Sequence, residues 1–226
     1  MFKPLLSAFI ATFLMTGCAF LDSAPSAEHW KTYSGGRAAG DVTHFYWYNE
    51  FQSMPDNAAD KVLMGDNGWY ISQYRWQSGA LRELIREGVQ QSVPYHLHVR
   101  FNAHGDAVYQ QYRVNQRVVP LNASERSALL EQANQVISLS KQQAEQNLAL
   151  YQGVWNGRRL KTCNGHRFTQ LQLPDSTPDY VAQRFQQPIY VAFLARVNEA
   201  QLQVEQILRL DEPDTPCMVE PQVVPE

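Results

Sequence analysis

The chain has 226 residues, enough for one domain or two small ones, and carries 19 Lys and Arg against 22 Asp and Glu, a net charge of −3 at neutral pH. With no basic stripe, that balance leaves nucleic-acid binding unsupported. Aromatic residues are plentiful, with five Trp and eleven Tyr, and Gln is frequent.

The first segment reads as a secretory signal. Lys3 is the basic start, Leu5 to Met15 is an apolar run broken only by Ser7 and Thr12, and Thr16-Gly17 supplies the small residues of a cleavage site. The run is too short to span a bilayer, which takes about 20 residues. Leu14-Met15-Thr16-Gly17-Cys18 resembles the lipobox of bacterial lipoproteins, with Met15 where Leu is commonest. The resemblance implies that residues 1–17 are removed and Cys18 is lipidated, with residues 18–28 as a tether and 29–226 as a single α+β periplasmic domain. Each buried CH₂ of an acyl chain contributes about 0.8 kcal/mol, so one chain binds marginally and two or more hold firmly; lipoproteins of this type carry three. Ala19, rather than Asp, after Cys18 points by the same resemblance to the outer membrane. The alternative is an ordinary cleaved signal with a chance Cys.

Residues 41–48 are rich in β-formers and predict a strand with Phe45 and Trp47 on one face and His44, Tyr46 and Tyr48 on the other. Residues 49–60, with Pro55-Asp56-Asn57, read as a loop, and Lys61 to Met64 as a short strand. Gly65-Asp66-Asn67-Gly68 is a turn, followed by a strand from Trp69 to Gln77 with aromatics on both faces. Ala80 to Glu87 has helical spacing at Leu81, Leu84 and Ile85 but lies between strand signals, and is read as a strand that Gly88 ends. Tyr95, Leu97, Val99 and Phe101 alternate against His96, His98 and Arg100, a half-buried strand that turns through Asn102 to Asp106 into Val108 to Val114. The similar turns after Tyr74 and Phe101 mark an antiparallel meander.

Residues 122–150 change period. Asn122 and Glu125 form a capping-box pattern, and Leu129, Leu130, Ala133, Val136, Ile137, Ala144 and Leu148 recur at helical intervals, with Gln residues between them. Strands follow at 153–162 and 168–173, then a short helix opened by Pro178, then a hairpin of Ile189 to Val197 and Leu202 to Leu210. The fold class is therefore α+β: a sheet over 41–114 and C-terminal strands over 153–210, an antiparallel meander or partial barrel packed on one long amphipathic helix.

Chemistry is sparse. Gly35 and Gly40 have P-loop spacing, but Asp41 stands where Lys is needed. Asp66-Asn67-Gly68 lacks the alternating ligands of a calcium loop. With Cys18 assigned to lipid, Cys163 and Cys217 remain as an expected disulfide in an oxidising periplasm. The rival is Cys163-Asn164-Gly165-His166 as half of a metal site, for which no second pair is present. His96 and His98, at i and i+2 on a strand, point to one face and are the metal or catalytic candidates, with Glu83 or Glu87 as neighbours. The remaining candidate surface is aromatic: Tyr46, Tyr48, Tyr74 and Trp76, with His44 and Tyr70, either exposed for binding or packed under the helix.

The lipobox, the meander and the stretch Trp155-Asn156-Gly157 to Leu160-Lys161-Thr162-Cys163-Asn164-Gly165 together resemble the YjaH-like lipoproteins of gamma-proteobacteria, a domain family of unknown function. The resemblance covers most of the chain and implies no activity or catalytic residue. The expected function is a non-enzymatic, outer-membrane-anchored accessory protein facing the periplasm, without cofactor, that binds an envelope protein through its sheet. The alternatives are a carrier or chaperone for an apolar ligand, and a hydrolase or metal protein using His96 and His98.

Overall fold

The computed structural model describes residues 29–220, so Cys18 and the whole segment assigned to signal and tether lie outside the described residues. Eight strands follow one another as an uninterrupted antiparallel meander: β1 (Trp30–Ala39), β2 (Val42–Phe51), β3 (Met54–Leu63), β4 (Gly68–Gln77), β5 (Ala80–Gln90), β6 (Val93–Phe101), β7 (Ala107–Val114) and β8 (Arg117–Val119). This sheet is partly closed and barrel-like, with β1 and β8 as its edges. The helix α1 (Ala123–Glu145) follows. A second sheet then forms from β9 (Ala149–Trp155), β10 (Leu160–Thr162), β11 (Arg167–Phe168), β12 (Gln170–Gln172), β13 (Ile189–Asn198) and β14 (Gln201–Asp211), with the short α2 (Asp179–Arg184) before β13. Every pairing is antiparallel except β12 with β14. The described residues are mostly antiparallel sheet.

Alternation on β2 decides the layering. Tyr46 and Tyr48 point to one face, where they join Tyr74, Trp76, Leu84, Val99 and the α1 residues Leu129, Ala133 and Val136 in one core. Phe45 and Trp47 point to the other face and pack with Tyr190, Ala192, Leu194 and Leu208 of the second sheet. The opposite side of that sheet buries Val191, Phe193 and Leu202 with Trp155 and Phe185. Each layer thus exists because a strand with apolar residues on both faces must bury both. The second sheet packs against β1–β3, and the matching face of β4–β7 mixes polar side chains, the buried Glu83 among them, with Trp69, Ile71, Ile85 and Val89.

Three expectations need correction. Residues 49–60 form no loop: β3 begins at Met54, and Pro55 is accommodated beside a β-bulge, where Asn49 pairs with Asn57 and Glu50 with Pro55. Gly88 does not end β5, which runs to Gln90. A Cβ there would lie 2.3 Å from the Trp69 carbonyl oxygen and 2.8 Å from the Tyr70 Cβ, so glycine serves close strand approach. The helix stops at Glu145 rather than 150. The capping box at Asn122 is formed as expected, but Asn147 adopts φ 58°, and Asn147 N–H and Leu148 N–H return to the carbonyls of Ala144 and Gln143. That is a Schellman closure. Leu148, although in helical phase, belongs to the core between the sheets.

Strand β1 was not foreseen, and its free edge is occupied by side chains. Gln143 of α1 accepts from Gly36 N–H at 3.2 Å and donates to Gly36 carbonyl at 2.9 Å. Gln206 of β14 does the same for Ala38 at 3.0 and 2.8 Å. Two glutamine amides imitate a neighbouring strand and cover an edge that would otherwise template intermolecular pairing.

Candidate functional site

The aromatic residues proposed as a surface are core. Tyr48 and Tyr74 are 0% exposed, Tyr46 and Trp76 are buried, and all four belong to the core under α1; they form no aromatic surface, and of the four only Trp76 reaches the wall of a cleft. Tyr70 is buried with them and His44 is half-buried, its pKa lowered by burial and by Arg37.

Two polar clusters are set into this helix-facing layer. Asp60 and Arg86 occupy core positions on β3 and β5, and their side chains are joined through hydroxyls. Arg86 Nε donates to Ser72 Oγ at 2.8 Å and Nη2 to Tyr74 Oη at 3.3 Å. Tyr74 in turn donates to Asp60 Oδ1 at 3.3 Å, and Ser72 also bonds to Asp60. Arg86 Nη2 also reaches Gln132 Oε1 of α1 at 2.8 Å, Gln132 donates to Tyr70 Oη at 2.7 Å, and the guanidinium lies 4.3 Å from the Tyr70 ring centre. Burial pushes the Asp60 carboxyl up, against the opposing pull of Arg86, Ser72 and Tyr74. Burial and Asp60 push the Tyr70 phenol up to about 12. A recess of about 240 Å³ opens beside this network between α1 and β5–β6, lined by Arg86, Tyr95, Leu97, Leu129 and Gln132.

Glu50 is the second cluster. Its buried carboxylate accepts from Lys141 of α1 at 2.7 Å, from Tyr33 at 2.7 Å and from Tyr48 at 3.1 Å. Burial alone would raise its pKa, but these donors together hold it below the usual value. Both clusters tie α1 to the sheet, and their groups are engaged with each other.

The opposite face of β4–β7 is where the histidines stand. Glu87 pairs with His96 and Glu83 with Arg100 in the β5–β6 register. His98 Nε2 meets Glu83 Oε1 at 2.9 Å and its ring meets Tyr109 edge-on at 5.1 Å. His98 is thus one partner of a carboxylate that also binds Arg75 Nη2 at 2.7 Å, with Arg100 Nε at 4.0 Å. Among the described residues no group of three or more His, Cys, Asp or Glu is placed to hold a metal ion.

Glu83 is only 5% exposed although it lies on the uncovered face, because the arginines and His98 cover it. Arg75, Glu83, Arg100 and Tyr109 are successive cross-strand neighbours on β4, β5, β6 and β7. Immediately beyond this row the register shifts twice, leaving Arg82 on β5 and Val108 on β7 as extra, bulged residues. The bulges open a cleft of about 700 Å³ lined by Arg75, Arg82, Arg100, Trp76, Val108 and Tyr109, among others. Bulges re-aim side chains and recur beside binding sites. The sequence reading missed this cleft. Its signal was Arg75 and Arg100 on the outward phase of β4 and β6; Arg82, in phase with Leu84 and Arg86, joins them only through the bulge, which the register alone shows.

Cys163 and Cys217 form a disulfide with Cα atoms 5.9 Å apart. It fastens the C-terminal tail to the β9–β10 region. Gln152 completes the attachment by donating to Met218 carbonyl at 2.7 Å and accepting from Met218 N–H at 2.8 Å. Beyond it Glu220 accepts from Asn49 at 2.8 Å.

The sequence pattern of DUF1481, a protein family of unknown function, matches residues 34–222. The chain belongs to this family. The match begins within β1 and runs past Cys217, so it takes in both sheets, α1 and the disulfide. No curated protein and no solved structure matches the chain. Membership of DUF1481 therefore brings no activity with it, and function has to be argued from this chain's own residues.

Proposed function

We propose that this member of DUF1481 is a YjaH-like lipoprotein held in the outer membrane by lipid on Cys18, facing the periplasm, and that it works by binding rather than by catalysis. The observation that carries the compartment is the Cys163–Cys217 disulfide, since such bonds persist in oxidising compartments and are rare in the cytosol. It agrees with the signal-like segment that ends at Cys18. Binding is favoured over catalysis because the buried charged groups are engaged internally: Arg86 and Glu50 fasten α1 to the sheet, Asp60 is held by Ser72 and Tyr74, and Glu83 by Arg75 and His98. The binding surface is the face of β4–β7 on the side away from α1. A carrier for an apolar ligand would need the space between sheet and helix, which Tyr46, Tyr48, Tyr74 and Trp76 fill except for the recess of about 240 Å³ beside Arg86.

Metabolic labelling with a radioactive fatty acid tests the anchor. The wild-type chain takes up label and fractionates with the outer membrane, whereas Cys18→Ser takes up none and leaves that fraction. Equal behaviour of the two chains refutes the anchor.

A further inference from the structure

We propose that the bulged cleft of β4–β7 is a binding site for a phosphoryl dianion, a phosphomonoester or diphosphate group, held by Arg75, Arg82 and Arg100. The inference deepens the binding reading above but is independent of the anchor at Cys18.

Charge is the first ground. Three guanidinium groups line the cleft and no carboxylate does. Glu83, beneath them, neutralises one positive charge and leaves an excess of two, which a dianion matches. Asp106, in the β6–β7 turn, accepts from the cleft residue Asn102 Nδ2 at 3.0 Å.

Geometry is the second ground. The buried Glu83 carboxylate fixes Arg75 and stands 4.0 Å from Arg100, so the two guanidinium groups are pre-positioned on strands either side of β5. A guanidinium carries five N–H donors in a rigid fork, and a single contact to Glu83 leaves most of them for another anion. Arg82 is the bulged residue of β5, and no hydrogen bond or ion pair engages it among the described residues. It supplies the charge that Glu83 does not balance. Tyr109, 42% exposed, and Val108 form an apolar wall beside the arginines, suited to the organic part of an ester. Rigid elements place all of these groups, as precise recognition requires.

A phosphoryl dianion can come from a soluble compound or from a lipid headgroup, and the test separates them. The detergent-purified full-length chain is titrated by calorimetry with inorganic pyrophosphate and with monomeric dihexanoylphosphatidate, with dihexanoylphosphatidylcholine as the zwitterionic control. Pyrophosphate or phosphatidate is expected to bind, more weakly at higher salt, and phosphatidylcholine is not. Preference for phosphatidate assigns the site to a lipid; preference for pyrophosphate, or equal affinity, assigns it to soluble ligands.

Arg82→Gln, which disturbs no internal partner, is expected to raise Kd at least tenfold without changing the melting temperature. Arg100→Gln gives a second reading of the same loss, and Arg113→Gln, on β7 outside the cleft, leaves Kd within twofold. Absence of binding by both anions, or binding that survives both Arg82→Gln and Arg100→Gln, overturns the proposal. Failure of the fatty-acid labelling would overturn only the anchor.

Discussion

Replacing Arg86 with Met removes a cation from beside a buried carboxylate while keeping most of the side-chain volume. Asp60 must then either stay charged without a partner or take up a proton on folding. Breaking a buried pair from one side costs about 3–5 kcal/mol. Protonation sets a ceiling on the charge part of that cost. Taking up a proton costs about 1.36 kcal/mol for every pH unit above the carboxyl's ordinary pKa, near 3.8. At pH 7.5 that ceiling is about 5 kcal/mol, and at pH 4.5 it is about 1 kcal/mol. Loss of the bonds from Arg86 to Ser72, Tyr74 and Gln132 adds about 1 kcal/mol for each partner, at either pH. The sign follows from the raised Asp60 pKa: folded protein binds this proton more tightly than the unfolded chain, so stability falls as pH rises above 3.8 and stops falling above the folded pKa, and removing Arg86, which pulls that pKa down, enlarges the fall in the variant. Urea unfolding at the two pH values is the assay. Loss of the cation raises the Asp60 pKa beyond its already raised wild-type value, so the gap between wild type and Arg86→Met should widen between pH 4.5 and 7.5, and Asp60→Asn in the Arg86→Met background should abolish the widening. A gap of the same size at both pH values would refute the charge relay from Arg86 through Ser72 and Tyr74 to Asp60.

Other consequences are independent of that relay. Removing the disulfide by Cys163→Ser with Cys217→Ser frees a loop of sequence separation 54, worth about 4 kcal/mol on the loop-entropy account, so the melting temperature should fall by roughly 8–16 °C; a shift under about 2 °C on reduction would count against it. Gln143→Leu leaves the Gly36 N–H without its acceptor and the Gly36 C=O with only the longer bond from Tyr46 Oη at 3.4 Å, and should cost about 1–2 kcal/mol, with faster aggregation in light scattering; unchanged scattering sinks the edge-cover role. Glu50 has a lowered pKa, so it contributes stability above the ordinary carboxyl value that is lost as pH falls through its folded value. Glu50→Gln should flatten the acid limb of the stability profile, and an unaltered limb in urea titrations contradicts this. Asn122→Ala breaks the capping box and should cost about 1 kcal/mol, checked by the shift in the urea midpoint at constant slope.

The places where the sequence misled share a cause. Pro55-Asp56-Asn57 has the composition of a loop, and only pairing with β2 shows that a bulge absorbs it. Leu148 keeps helical phase, while the left-handed Asn147 ends the helix through backbone bonds that hydrophobic spacing does not report. Strand β1 is rich in glycine and polar residues and carries little hydrophobic signal, because its edge is satisfied by Gln143 and Gln206 from distant parts of the chain. Asp60 and Arg86 did leave a trace. Each sits in phase with core residues of its strand, Ala58 and Val62 for one and Leu84 for the other, which marks a charge turned inward.

Local chemistry determined what sequence alone could determine. Period-2 alternation defined β2, β4 and β6 and the separate faces of Phe45 and Tyr46; the Asn122–Glu125 pattern set the helix start; cysteine arithmetic paired Cys163 with Cys217. These signals arise within a few residues of one another or from elimination. Tertiary structure decided everything that depends on which strand lies beside which. It buried the aromatic face by placing α1 over it, covered β1–β3 with the second sheet, and aligned Arg75, Glu83 and Arg100 across three strands beside the bulges of β5 and β7 that open a cleft. A one-residue change of register reverses every side chain on a strand, so no single segment carries the information that makes a surface.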